Sequence, residues 1–223
     1  MNEQDPTVNL RPRKRGRRNA AAPSGPQPAW PDDPESVDAA EVDFEGLAHV
    51  LANTCRWGGR TRRFLSLAQH ALTASGEIET LDGIAGEDRR ALALHALLMP
   101  ARAAWLGEGE GEHQESARAA ARTRALGAAI DRAVREAAGL GPELPEDHAE
   151  VLRFVARMTD AAERRDLGVS AGGFPFPPLR RTIRPLAPEA AAERWLARFR
   201  ELHAGCGNDG NGAPAAAGAE GSS

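Results

Sequence analysis

Between residues 39 and 204, apolar side chains recur every three or four positions, the spacing that gathers them on one face of an α-helix. Asp43 is placed to cap a helix carrying Phe44, Leu47, Val50 and Leu51, which runs toward the Gly58-Gly59 pair. A second helix is predicted from residue 63 to about 75. It presents Phe64, Leu67, Ala68, Ala71 and Leu72 and stops before Gly76. A third spans about 87–106 and is interrupted by Pro100, because an interior proline removes one helical hydrogen bond and clashes with the preceding turn. A fourth, 114–138, carries the stripe Leu126, Ile130, Val134 and Ala137. A fifth follows Pro145 with Val151, Val155, Met158 and Ala162 and ends at Gly168. After a Pro-rich connection comes a last helix with Pro188 in its first turn and an apolar face of Ala191, Trp195, Phe199 and Leu202. Nowhere does the chain alternate with the two-residue period of a strand. The expected fold is all-α, a bundle of about six helices.

The flanks differ in kind. Residues 1–38 mix Pro, Gly and charge with few apolar positions and cannot bury enough surface to offset chain entropy, so a disordered tail is expected there. Residues 205–223 form a second tail of low complexity. The helical domain is thus expected at 39–204. Within the first tail, the run from Arg11 to Arg18 is densely basic. It reads either as a weak nucleic-acid or polyanion contact or as a solvated arm.

Composition narrows the class further. The 223 residues carry a net charge of -4, which gives no global reason to expect nucleic acid or a membrane surface as partner. Six Phe, four Trp and no Tyr imply an aliphatic, Ala-rich core. Cys55 and Cys206 are too few and too far apart for a disulfide scaffold, and no apolar run approaches the ~20 residues of a membrane span, so a cytoplasmic location is expected.

Candidate chemistry collects in CRWGGRTRRFLSLAQHAL, residues 55–72, and ALHALLMPARAAWLGE, residues 93–108. Together with AERRDL near residue 165 and the last helix, these stretches resemble the HD-domain phosphohydrolases. They are similar in particular to a subgroup containing bacterial 5'-deoxynucleotidases. The resemblance implies an HD-like helical fold and a divalent-metal site built from His…His-Asp…Asp. His70 matches the first ligand. Met99 and Pro100 stand where the resemblance implies the central His-Asp pair, and Val155 or Ala156 where it implies the last Asp. Ala103 replaces a nearby acidic residue. Neither thioether nor proline ring suits a hard divalent cation. The expectation is a degenerate copy without metal-dependent catalysis, acting as an anion-binding, nucleotide-binding or interaction module.

The resemblance places Arg56 near a substrate phosphate, and a guanidinium holds phosphate without any metal. Trp57 is either a base-stacking platform or a packed tryptophan. His70 is either a remnant ligand or a structural histidine bonded to a backbone carbonyl or to Gln69. Two other functions stay open. One is an active phosphohydrolase using a relocated Mn²⁺, Co²⁺ or Zn²⁺ site on His70, His95 and Asp160, with Glu108 as a further candidate. Against that relocation, one helical turn displaces a side chain by about 5.4 Å. The other is an adaptor working through Arg11 to Arg18. His49, His113, His148 and His203 are expected at the surface, and Arg60, Arg62 and Arg63 as a solvated basic turn.

Overall fold

A computed structural model describes residues 38–108, 117–169 and 175–204. The two expected tails, the basic run from Arg11 to Arg18, His113 and Cys206 lie outside the described residues. Within them the fold is all-α. There are six helices of ten residues or more: α1 (Phe44–Asn53), α2 (Leu67–Ile78), α3 (Gly86–Leu98), α5 (Ala117–Ala137), α6 (Glu146–Leu167) and α7 (Pro188–His203). A single turn, α4 (Ala103–Leu106), follows α3. No helix among the described residues is long and apolar enough to cross a membrane.

The elements follow from local chemistry. The Asp43 carboxylate accepts the Glu45 amide at 3.0 Å and starts α1. The Ser66 hydroxyl accepts the Gln69 amide at 3.1 Å and starts α2. α6 ends where Gly168 turns into the left-handed region (φ 68°), a conformation that suits glycine. A Cβ at Gly168 would also fall 2.4 Å from the Arg62 side chain.

Three sequence expectations need correction. The second helix begins at Leu67 rather than residue 63, because the Ser66 cap sets the start. Phe64 is therefore outside the helix and exposed, and Gly76 lies inside α2. Gly76 fits there because the Arg181 guanidinium lies against it, 3.3 Å from where a Cβ would sit. Pro100 ends α3 instead of kinking a longer helix. The chain turns through Ala101 N–H to Leu98 O (2.8 Å) and Ala103 N–H to Pro100 O (3.0 Å) before α4. The first helix stops at Asn53. Cys55 then lies in extended backbone, in an isolated antiparallel bridge with Ser66.

α2 is the central rod. It packs along α3 and also touches α1, α6 and α7. Small side chains at Ala68, Ala71, Ala74 and Ser75 let its neighbours approach closely. The main core joins Leu47 and Leu51 of α1, Leu94 and Leu97 of α3, Ile130 and Val134 of α5, Val155 of α6, and Trp195 and Phe199 of α7. A smaller cluster of Leu65, Ala162, Leu167, Leu179 and Ile183 lies under Trp57.

A helix surrounded on so many sides buries polar side chains too, and each must find a partner. The Gln69 amide donates to Arg184 O at 2.7 Å and accepts from Leu186 N–H at 2.8 Å, tying down the strand-like approach to α7. Thr73 donates to Gln69 O at 2.9 Å, and Ser75 accepts from Arg198 at 3.3 Å. His70 has a partner of another kind, described below.

Trp195 is fully buried, stacks near Phe199 (5.7 Å between ring centroids) and donates its indole N–H to Leu97 O at 3.3 Å. Trp195→Ala is expected to cost about 3–5 kcal/mol in chemical denaturation, the range for deleting a buried tryptophan. A loss below 1 kcal/mol would place the core elsewhere.

Candidate functional site

The turn Arg56–Gly59 holds the unusual backbone of the molecule. Trp57 has φ 60° and ψ 25°, the left-handed region that a bulky side chain adopts only under constraint. Gly58 and Gly59 continue at φ 57° and 75°. The constraint comes from side chains. The Trp57 indole N–H donates to Glu163 Oε2 at 2.8 Å, and the guanidinium groups of Arg56 and Arg164 each lie 4.5 Å from the indole ring centre. The ring thus lies among two cations and a carboxylate.

Arg56 is the hub. Its Nη2 donates to Asp160 Oδ1 at 2.7 Å, its Nη1 donates to Glu108, and its Nε lies 3.6 Å from Glu163 Oε2. Glu108 also accepts the Gly58 amide at 3.0 Å. One guanidinium thus faces three carboxylates from two parts of the chain. Glu163 is the most enclosed of them, with 1% of its side chain exposed. It closes the cluster through His70, whose Nδ1 lies 2.8 Å from Glu163 Oε1.

Electrostatics follow the geometry. Burial pushes the Glu163 carboxyl up, but His70, Arg56 and the Trp57 indole together outweigh it and hold Glu163 below the usual carboxylate range. Asp160 goes the other way. Burial raises it, with help from the Glu163 charge, against the opposing pull of His70 and Arg56. For Arg56, burial acts downward, yet the three carboxylates raise it further above an already high value.

The expected site residues therefore divide. Arg56, Trp57, His70, Asp160 and Glu108 all meet in this one cluster. His95 does not join it. Its ring packs edge-on against His148, 5.7 Å between centroids, because α3 turns that face toward α6 rather than toward α2's His70. The relocated set of His70, His95 and Asp160 is thereby corrected to His70, Asp160 and Glu163, whose potential ligand atoms lie within 4.8 Å of one another. Among the described residues the His70 side chain bonds to Glu163 rather than to a backbone carbonyl or Gln69, and Gln69 is occupied with residues 184 and 186. Val155 is core, and Ala156 lines an apolar cavity. His49 and His203 are at the surface, but His148 is half-buried with an Nδ1 that has no hydrogen-bond partner. Arg60, Arg62 and Arg63 are exposed, as expected.

Glu163 was the residue that sequence reasoning passed over. Its signal was present: residues 155, 159 and 163 share one helical face, and the first is a buried valine. A carboxylate on the buried face of α6 requires a cation or several donors.

A divalent metal at His70, Asp160 and Glu163 would compete with pairs these side chains already form. Ligand atoms around one Zn²⁺ sit about 2.0–2.2 Å from it, hence no more than about 4.4 Å apart. The trio nearly meets that limit. Glu163 uses one oxygen for His70 Nδ1 and the other for Trp57, and Asp160 uses Oδ1 for Arg56. The guanidinium charge itself stands among the carboxylates. Beside the cluster, Leu67, Met99, Pro100, Ala103 and Leu106 line a cleft of about 320 Å³ that reaches Arg56, His70 and Glu108.

No family model matches the chain. It is 27% identical over 177 residues to the uncharacterized protein YfdR of Escherichia coli (strain K12), covering 75% of this chain and 88% of that protein.

His95 yields a pH prediction. Burial first, then His148 and Arg135, lower its pKa from 6.5 to about 4. The unfolded chain therefore binds one more proton than the folded one between those values, and stability falls as pH falls through that window. The loss is expected to approach about 3 kcal/mol by pH 4. His95→Leu should flatten urea-denaturation stability over pH 6.5 to 4.5, above the window in which Glu163 also begins to contribute. An unchanged slope would remove His95 as the cause.

Proposed function

We propose that this protein is a degenerate relative of the HD-type phosphohydrolases that has exchanged a metal centre for an internal ion-pair cluster and acts as a non-catalytic binding module. The observation that carries the reading is Arg56. Its guanidinium supplies positive charge among Glu108, Asp160 and Glu163, where an HD enzyme would hold a metal ion. Met99 and Pro100, at the positions that the resemblance assigns to the central ligand pair, are walls of the adjoining cleft.

Charge balance bears on the ligand. Three carboxylates face the Arg56 guanidinium directly, so a phosphate approaching Arg56 meets repulsion as well as attraction. A nucleotide or phosphate ester held on Arg56 is therefore the weaker form of the reading. A partner that leaves Arg56 in its cage is the stronger form.

Titration calorimetry of the metal-stripped protein with Mn²⁺, Co²⁺ and Zn²⁺ tests the proposal. The wild type is expected to bind no equivalent that depends on His70. Arg56→Met, which removes the internal cation, is expected to gain a divalent-cation site that His70→Ala abolishes. Stoichiometric binding to the wild type that is lost in His70→Ala would contradict the proposal. It would favour a metal-dependent phosphohydrolase on His70, Asp160 and Glu163.

A further inference from the structure

On the other side of Met99 from the ion-pair cluster, α3, α5 and α6 enclose a second cavity of about 370 Å³, within the ~300–1,000 Å³ typical of small-molecule sites. Its walls are mostly aliphatic, with Leu98, Met99, Val134, Leu144 and Leu152. Two features break the apolar surface.

The first is His95. The residue is 7% exposed, and its ring makes no hydrogen bond among the described residues; its neighbour is the His148 ring. A neutral imidazole always carries one N–H donor and one acceptor nitrogen, so this wall offers polar capacity that the protein itself leaves unused.

The second is an imbalance of charge. Asp131 is the one acidic residue on the lining, and it lies 3.4 Å from Arg102. Arg153 pairs with Glu146 at 3.0 Å. Arg135 and Arg157 have no carboxylate partner among the described residues. Arg135 donates to the Pro142 carbonyl at 2.6 Å, and Arg157 lies over the Phe176 ring at 4.8 Å. Two arginines without a carboxylate partner among the described residues therefore line a cavity whose walls are mostly hydrocarbon.

We propose that this cavity binds a small amphiphilic carboxylate, with its aliphatic body against Leu98, Val134 and Leu152 and its anionic head paired with Arg135 and Arg157 beside His95. The parts have separate roles. Apolar burial supplies affinity at about 25 cal/mol per Å² removed from water, while the guanidinium groups select an anionic head over a neutral or cationic one. The cavity shares Met99 with the cleft beside Arg56 but none of the residues of the ion-pair cluster, so this inference stands apart from the one above.

The test uses octanoate as probe, with octanol and octyltrimethylammonium as head-group controls, in calorimetric titration of the full chain. Octanoate is expected to bind one per chain, and both controls at least tenfold more weakly. Arg157→Gln changes an exposed side chain and should not disturb folding. It is expected to weaken octanoate several-fold, and the Arg135→Gln/Arg157→Gln pair at least tenfold, with octanol unaffected. Ala156→Trp, which fills the cavity from its α6 wall, should abolish binding of octanoate. Absence of saturable octanoate binding, equal affinity for the three probes, or arginine variants that bind octanoate like wild type would each overturn the proposal.

Discussion

A carboxylate with almost none of its side chain in water must be neutralised or compensated, and Glu163 is compensated three times. His70 meets one oxygen, the Trp57 indole meets the other, and the Arg56 guanidinium stands nearby. Much of the local architecture follows from that requirement. α2 contributes His70, α6 contributes Glu163 and Asp160, and the Arg56–Gly59 turn contributes two donors. Trp57 remains in the left-handed region because leaving it would break an indole–carboxylate bond in a dry site, and an unpaired buried charge costs more than one strained residue. Glu108 extends the network to the chain that follows α4 by accepting from both Arg56 and Gly58. Four stretches distant in sequence are held by one set of charges.

The same network determines what the site can hold. Under the proposed reading, a cluster that already contains its own cation leaves recognition to the hydrocarbon on either side of Met99. In the cleft, Met99 and Pro100 present apolar surface. In the α3–α5–α6 cavity, Met99 and Ala156 do the same, and the charged side chains sit on the lining rather than at a centre.

The helical framework was legible where apolar periodicity and caps coincide. α7 is the clearest case. Pro188 sits in its first turn, and Ala191, Trp195, Phe199 and Leu202 are all buried. α6 between Pro145 and Gly168 is nearly as clear. Periodicity failed at α2, because a helix buried on most sides has no single stripe to read. There the hydroxyl of Ser66, not Phe64, marks the start. For the site, the family resemblance marked Arg56, Trp57, His70 and Glu108, and helical spacing added Asp160. Their use was not, since which carboxylate meets which cation depends on how α2 and α6 pack. His95 was misplaced for that reason, and Glu163 was hidden inside a charged run, AERRDL, whose residues look solvated until the helix is set in the core.

Arg56 and Glu163 stabilise the fold as a coupled pair within this network. A double-mutant cycle with Arg56→Met, Glu163→Gln and the combined variant, followed by urea denaturation at neutral pH, measures that directly. Each single change should cost about 1–3 kcal/mol, the range for removing one partner from a buried charged group that keeps its others. The double variant should cost less than their sum by at least about 1 kcal/mol. Additivity to within about 0.5 kcal/mol would instead show two residues acting independently.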